Sequence, residues 1–321
     1  MSAPILEVKN LQKHYPYKKG LFQKPGLTKA LDGVSLTIER GETVAIVGES
    51  GSGKTTLGKT LLRLIEPTGG EVHFKGRDIT ELSAEQMRKL KADMQIVFQD
   101  PYGSLDPKWT IGRTLEEPLR THRSHLSGAA LKQEVNAMLE RVGLQPHHGE
   151  RYPHELSGGQ RQRIGIARAL ILQPELVVLD EPVSALDVSI QSQILNLMQD
   201  LQTEMGLTYL FISHDLSVVR FISNRVAVMY LGKVVEIGET KEVFNNPLHP
   251  YTEALISAIP VPNPNLKRER IVLAGDIPSP RNQPSGCAFH TRCPKAMAQC
   301  KTLQPDLKEI GSKHYAACHL F

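Results

Sequence analysis

The sequence has no run of about 18 apolar residues. Its longest apolar stretches, such as Leu176–Leu179 and Leu207–Ile212, are strand-sized, which excludes a membrane-spanning helix. Residues 1–12 lack a basic segment followed by an apolar core, so no signal peptide is expected and the chain should stay in the cytosol. There is one Trp, and no basic stripe carries interleaved aromatics, so nucleic acid is not an expected partner. Cysteine is absent from residues 1–286; Cys287, Cys293, Cys300 and Cys318 all fall in the last 35 residues. Disulfides are disfavoured in a reducing compartment, so this clustering reads first as a set of metal or cluster ligands.

What is present is ordinary for a globular chain: 321 residues, 22% charged and 40% hydrophobic, enough for two domains or one large domain with an appendage. The net charge of +4 is unevenly spread. Residues 9–29 hold six Lys and no acid, and residues 262–321 carry nine basic against four acidic residues, leaving about −7 on the remainder. The basic loop at 16–29 and the basic tail read either as solvated loops or as contacts with anionic lipid or an acidic partner near a membrane.

Buried-type apolar strands alternate with helices: strands at 43–47, 176–179 and 208–212, helices at 54–65, 131–142 and 190–205. Further strands are expected at 5–11, 34–38, 71–74 and 95–98, a helix at 83–92, a hairpin at 226–230 and 233–237, and mainly helix from about 112 to 172. This is an α/β pattern with a mainly parallel sheet. The prolines between 260 and 286 mark a boundary, with a small Cys-bearing module behind it.

Gly48, Glu49, Ser50, Gly51, Ser52, Gly53, Lys54 and Thr55 match G-x-x-x-x-G-K-[ST] at every fixed position, between a buried strand and a helix. Glycines let successive N–H groups point at one phosphate, and the helix N-terminus adds positive potential there. Lys54 supplies a point charge for the β- and γ-phosphates, and the Thr55 hydroxyl a Mg²⁺ ligand. Leu176–Leu179 ends in Asp180 and Glu181, at the sheet edge where ligands bind in such folds. Asp180 suits Mg²⁺, and Glu181 suits a base that orients an attacking water. His214 follows the next apolar strand and could contact the γ-phosphate. Ser157, Gly158, Gly159 and Gln160 open a basic helix, which reads either as a plain N-cap or as a second anion site for another subunit's nucleotide.

The cysteine spacing, x5, x6 and x17, contains no C-x2-C pair, so an ordinary zinc finger is a poor fit. Four thiolates could hold a [4Fe–4S] cluster; zinc and no metal are the alternatives, with His290 and His319 as substitute ligands.

Together these motifs resemble the ATP-binding-cassette ATPases, the motor subunits of ABC transporters, over about residues 5–260. The resemblance rests on 48–55, Gln99 in Val-Phe-Gln-Asp-Pro, Leu156–Gln160, 176–181, Ser184–Asp187 and His214. It implies an ATPase core with a parallel sheet, an antiparallel β subdomain and a helical subdomain at about 100–172. It also implies Mg²⁺ ligation by Gln99, nucleotide contacts from Thr56 and Asp187, an adenine stack on Tyr15, and dimerisation that places each ATP between one chain's phosphate loop and the other's signature.

A narrower resemblance covers the whole chain. Asn246–Leu255, Pro101–Leu105, 181–189 and the Pro- and Cys-bearing tail at 261–321 are similar to the oligopeptide/dipeptide importer ATPases, in particular the second of their two ATPase subunits. This implies a paralogous ATPase partner, two permease subunits, an extracytoplasmic peptide-binding protein and attachment to the inner face of the cytoplasmic membrane. It also favours [4Fe–4S] in the tail. Haem, δ-aminolevulinate or nickel transport, a soluble non-transport ABC ATPase and a non-hydrolysing partner subunit are the alternatives.

Overall fold

The computed structural model describes residues 3–17, 26–260 and 270–321. The N-terminal third contains β1 (Leu6–Tyr17), β2 (Gly26–Ile38), β3 (Thr43–Val47), α1 (Lys54–Leu61), β4 (Gly69–Phe74), β5 (Arg77–Asp78), α2 (Ala84–Leu90) and β6 (Met94–Val97). There follow α3 (Ile111–His122), α4 (Gly128–Arg141), α5 (Gly158–Leu170), β7 (Leu176–Asp180), α6 (Val188–Met205) and β8 (Thr208–Ile212). The chain ends with α7 (Leu216–Ile222), β9 (Arg225–Tyr230), β10 (Lys233–Glu239), α8 (Thr240–Asn245), α9 (Pro250–Ser257), β11 (Lys308–Gly311) and β12 (His314–Ala316). No helix among the described residues is long and apolar enough to cross a membrane.

The elements form two units. The first comprises Met1–Ile38, Thr43–Thr80 and Ser213–Phe321. In it, β2, β1, β4 and β5 make an antiparallel sheet, in register through Leu6↔Ile38 and Leu6↔Phe74. Leu6, Val8 and Leu11 are buried, as are Leu31, Val34, Leu36 and Ile38, and a register shift between Val8 and Leu11 interrupts the two-residue alternation. A second layer carries β3 parallel to β9, then β10 and the tail hairpin β12–β11, all antiparallel to their neighbours. The tail is therefore stitched into this unit's sheet by Glu236↔Ala316 and Ile237↔Tyr315.

The other unit comprises Glu39–Glu42 and Glu81–Ile212. Parallel strands β6, β7 and β8 run side by side, and β7 and β8 are buried at all five positions each, which is why they read as unbroken apolar runs. Helices α3, α4 and α5 lie between residues 100 and 172, each begun by a hydroxyl side chain: Thr110, Ser127 and Ser157.

Residues 16–29, read from their Pro and Gly as a loop, are in part strand: β1 runs to Tyr17 and β2 starts at Gly26, paired through Tyr15↔Thr28 and Pro16↔Leu27. Backbone pairing holds this two-stranded extension, whose Tyr15-Pro16-Tyr17 and Gly26-Leu27-Thr28 show no apolar alternation. Pro16 is tolerated because β4 pairs with β1 only as far as Gln12. Lys18, Lys19 and Lys24 of the basic loop lie outside the described residues, as do 261–269 at the expected boundary. The helix expected over 54–65 stops at Leu61, ahead of Arg63 at φ 46°.

A buried carboxylate joins the tail to the rest of its unit. Glu236, fully buried on β10, accepts hydrogen bonds from the backbone N–H groups of Leu248 (2.9 Å) and His249 (2.8 Å) and from Nε2 of His314 on β12 (2.8 Å). His249 is itself buried, and its Nδ1 accepts the Tyr251 N–H (3.1 Å), capping α9. Burial drives its pKa from 6.5 down to about 4, against the opposing pull of Glu236. The folded chain thus keeps His249 neutral where the unfolded chain binds a proton. The resulting stability is complete above the ordinary His range and is lost as pH falls toward 4. Across that window the group should cost the fold about 3 kcal/mol. His249→Asn, which keeps a capping acceptor, should flatten this acid limb in denaturant titrations at pH 7, 5.5 and 4; identical limbs in both proteins would exclude His249 as the cause.

Candidate functional site

In the first unit, the five buried residues of β3 feed the loop Gly48–Gly53. Gly48 and Gly53 sit at φ 150° and 104°, and neither position has room for a side chain. A Cβ on Gly48 would lie 2.2 Å from the Met229 carbonyl oxygen, and one on Gly53 2.4 Å from that of Ala30. Gly53 N-caps α1 without a side-chain cap, and the first turn of α1 holds no acid. No side-chain carboxylate of its own first turn therefore opposes an anion at the positive end of the helix dipole. Lys54 is buried and its Nζ donates to the carbonyls of Gly48 (2.8 Å) and Glu49 (3.1 Å), which folds its charge over the loop. The Ser52 hydroxyl is buried with no hydrogen-bond partner among the described residues, an orphaned polar atom inside the loop. Those features fit a polyphosphate.

Ser50 and Gly51 are exposed at the loop's crest, and Thr55 and Thr56 are half-buried in the first turn of α1. His214 is exposed, one residue before the Asp215 cap of α7. Tyr15 is 38% exposed near the end of β1, with Lys13 Nζ 4.9 Å from its ring centroid.

In the second unit, buried β7 delivers Asp180, itself buried, and then Glu181 at φ 49°. A left-handed non-glycine residue there stores of order 1 kcal/mol of strain. It is held by hydrogen bonds from the Glu181 N–H to Ile212 O (3.0 Å) and from Ser184 Oγ to Glu181 O (3.1 Å). Gln99, 82 residues earlier, donates from Nε2 to the Glu181 carboxylate at 3.0 Å. The fold thus brings together two residues that lie far apart along the chain.

Ser157 caps α5 and accepts from Gln160 N–H (3.3 Å), while Gln160 Oε1 accepts from Ser157 N–H (3.0 Å). The serine and glutamine of the expected second anion site are thus engaged with each other in a capping box. A Cβ on Gly159 would come 2.7 Å from Ile190 Cγ2, so α6 sets the small residue there; Gly158 has an ordinary contact with Leu186. Asp187 N-caps α6 but accepts no capping hydrogen bond, and it is exposed.

The four tail cysteines are free thiols: Cys300 is buried, and Cys287, Cys293 and Cys318 are half-buried. Burial raises the Cys287 pKa to about 11, with the other three thiolates adding repulsion. Cys293 and Cys318 are raised for the same first reason, and each also feels Cys300. The thiols therefore share one neighbourhood. Yet among the described residues no three Cys, His, Asp or Glu side chains converge as ligands of one metal ion. The substitute ligands are turned to the backbone: His290 Nδ1 lies 2.9 Å from Cys287 O, and His319 Nε2 2.9 Å from Leu303 O.

Comparison with known proteins decides the family. The ABC transporter family model matches residues 31–184, and that of the oligopeptide/dipeptide transporter C-terminal region matches 235–300. The chain is 56% identical over 321 residues to the oligopeptide transport ATP-binding protein AppF of Bacillus subtilis, covering 99% of this chain and 97% of that one. It belongs to the ATP-binding subunits of the oligopeptide/dipeptide ABC transporter family. The dipeptide transport ATP-binding protein DppF of Escherichia coli is 53% identical over 313 residues, 98% of this chain and 93% of its own. Among solved structures, the ATP-binding cassette MJ0796, in a dimeric post-hydrolysis state bound to ADP and Pi, matches 73% of this chain and 98% of its own, with a TM-score of 0.66 and 32% identity. The core therefore has the ABC ATPase fold.

Two contacts about the phosphate loop have no signal in the sequence. Glu49 donates its N–H to Tyr251 Oη (2.8 Å) and pairs through its carboxylate with Arg292, at a separation of 243 residues. No motif links such positions.

Gly53→Ala should weaken Mg·ATP binding by roughly 10- to 100-fold, because it adds both left-handed strain and a backbone clash. A fluorescent-nucleotide titration on a variant with an unchanged circular dichroism spectrum reads this, and unaltered affinity would contradict the cradle geometry.

Proposed function

We infer that this chain is the ATP-hydrolysing subunit that energises uptake of oligopeptides or dipeptides by an ABC importer. One observation carries the reading: a phosphate loop and a peptide-importer C-terminal region occur in one chain that is more than half identical to AppF over 99% of its length.

The role of each residue follows from its chemistry. Glycine-loop amides and Lys54 would bind the ATP phosphates, and Ser52 would find there the partner its hydroxyl lacks. Tyr15 would stack on adenine. Mg²⁺, when bound with ATP, offsets charge on the phosphates; the Thr55 hydroxyl, Gln99 and the Asp180 carboxylate are the oxygen donors assigned to it. Glu181, oriented by Gln99, would take the proton of a water whose oxygen attacks the γ-phosphorus as the bond to the β–γ bridging oxygen breaks, yielding ADP and phosphate. His214 would hold the γ-phosphate. Ser157, Gly158, Gly159, Gln160 and Asp187 would face the nucleotide of a paralogous ATPase subunit, the Ser157–Gln160 bonds opening to receive it. Two permease subunits and an extracytoplasmic peptide-binding protein complete the importer, with this chain peripheral at the inner face of the cell membrane.

We assign the tail, residues 261–321, to a [4Fe–4S] site. Four thiols form the donor set, and Cys287, Cys293 and Cys318 each feel the charge of at least one other thiol. Ligands of a single zinc ion would stand about 3.8 Å apart, the edge of a tetrahedron with 2.3 Å bonds, and no such group converges among the described residues. A [4Fe–4S] cluster would take Cys287, Cys293, Cys300 and Cys318 as its four thiolate ligands. The cluster would supply a cross-link to a small proline-rich segment.

Glu181→Gln should retain ATP binding and lose about 100-fold or more of hydrolysis in the assembled complex; wild-type turnover would remove Glu181 from the chemistry. Iron, acid-labile sulfide and zinc should be counted on anaerobically purified chain with a visible spectrum. About four irons and four sulfides per chain, lost in Cys287→Ser, are expected; stoichiometric zinc or no metal overturns the assignment.

A further inference from the structure

The phosphate loop carries a carboxylate. Glu49 follows Gly48 directly, so a negative charge rides on the segment that must receive a polyanion. Its partner comes from the far end of the chain. Arg292 Nη1 donates to Glu49 Oε2 at 2.7 Å and Nη2 to Oε1 at 3.1 Å, a two-pronged pair. The Arg292 side chain is only 7% exposed and that of Glu49 25%. Such forked geometry is specific to arginine, and little water screens it.

The backbone of the same residue is held independently. Glu49 donates its N–H to the hydroxyl of Tyr251, a fully buried ring on α9. Tyr251 packs on Tyr230 and on Phe289, with centroids 4.8 and 5.3 Å away. The Phe289 carbonyl accepts the backbone N–H of Arg292 (3.0 Å), and Phe289 stands two residues after Cys287; Arg292 immediately precedes Cys293. The cysteine-framed turn and the start of the phosphate loop therefore share one packed cluster.

We propose that Arg292 is a positioning residue for nucleotide binding: it neutralises Glu49 and pins the start of the phosphate loop to the cysteine-bearing tail, so that tail order and ATP affinity are coupled. The inference rests on the ATPase assignment and is independent of the transported substrate and of the tail's metal. Its physical basis is electrostatic. Without Arg292, an uncompensated carboxylate on the loop repels the incoming phosphates. With both charges removed, the repulsion is gone. Linkage then works in both directions: if the tail favours ATP binding, bound ATP must order the tail.

The test uses full-length chain in its complex, with wild type, Arg292→Gln, Arg292→Lys and the double variant Glu49→Gln/Arg292→Gln. Arg292→Gln should raise KM for ATP at least about fivefold while kcat stays within about twofold. The double variant should recover most of the loss, which a purely packing role for the arginine would not allow. Arg292→Lys, keeping the charge without the fork, should fall between. Hydrogen–deuterium exchange supplies a readout separate from turnover: Mg·ATP should slow amide exchange over residues 286–293 in wild type, and this response should vanish in Arg292→Gln. A wild-type KM in Arg292→Gln, a double variant as impaired as the single one, a fall in kcat alone, or tail exchange indifferent to nucleotide each overturns the proposal. If Arg292→Gln does not fold, Arg292→Lys and the double variant carry the same comparison. A wild-type complex without hydrolysis would strike the ATPase assignment itself.

Discussion

A polyphosphate is met by backbone amides curled round one anion, and a loop can curl that tightly only where the chain is bent into conformations other residues resist. The rest of this molecule is arranged around that requirement. Gly48 and Gly53 occupy positions where a single methyl group would strike a carbonyl oxygen. α1 begins without a side-chain cap, unlike α2, α3, α4 and α5, whose hydroxyl side chains close their first turns. Buried β3 supplies the rigid base from which the loop departs.

The C-terminal region is part of the support for that loop. Tyr251 and Arg292 both reach Glu49, one by its backbone and one by its side chain. Glu236 spends its buried carboxylate on two backbone amides and His314, which ties β12 to the entrance of α9. A buried carboxylate with one partner missing is costly, so these contacts tend to form or fail together. The region that distinguishes the peptide-importer branch is thus wired into the nucleotide half of its own unit.

Several features are legible in the amino-acid string itself. The phosphate loop is a contiguous pattern bounded by a buried strand and a helix. β7 and β8 read as apolar runs because parallel strands are covered on both faces. The hairpin of β9 and β10 is visible from its Leu231-Gly232 turn. The extension of β1 and β2 is hidden, because its Pro16 and Gly26 read as loop residues and its side chains carry no apolar alternation. The meaning of Ser157 and Gln160 is also half hidden: the same residue types make a capping box and an anion site, and both readings fit the string.

Sequence alone determined the family, the phosphate loop, the acid pair at the end of β7 and the gathering of all four cysteines in the tail, because each is a local pattern with a local physical cause. Tertiary structure decided which distant groups meet. It set Gln99 on Glu181 across 82 residues and Arg292 on Glu49 across 243. It also joined the tail to β10 as added strands. Charge pairing and strand pairing across such separations depend on where the chain returns, and no periodicity or spacing in the sequence records that.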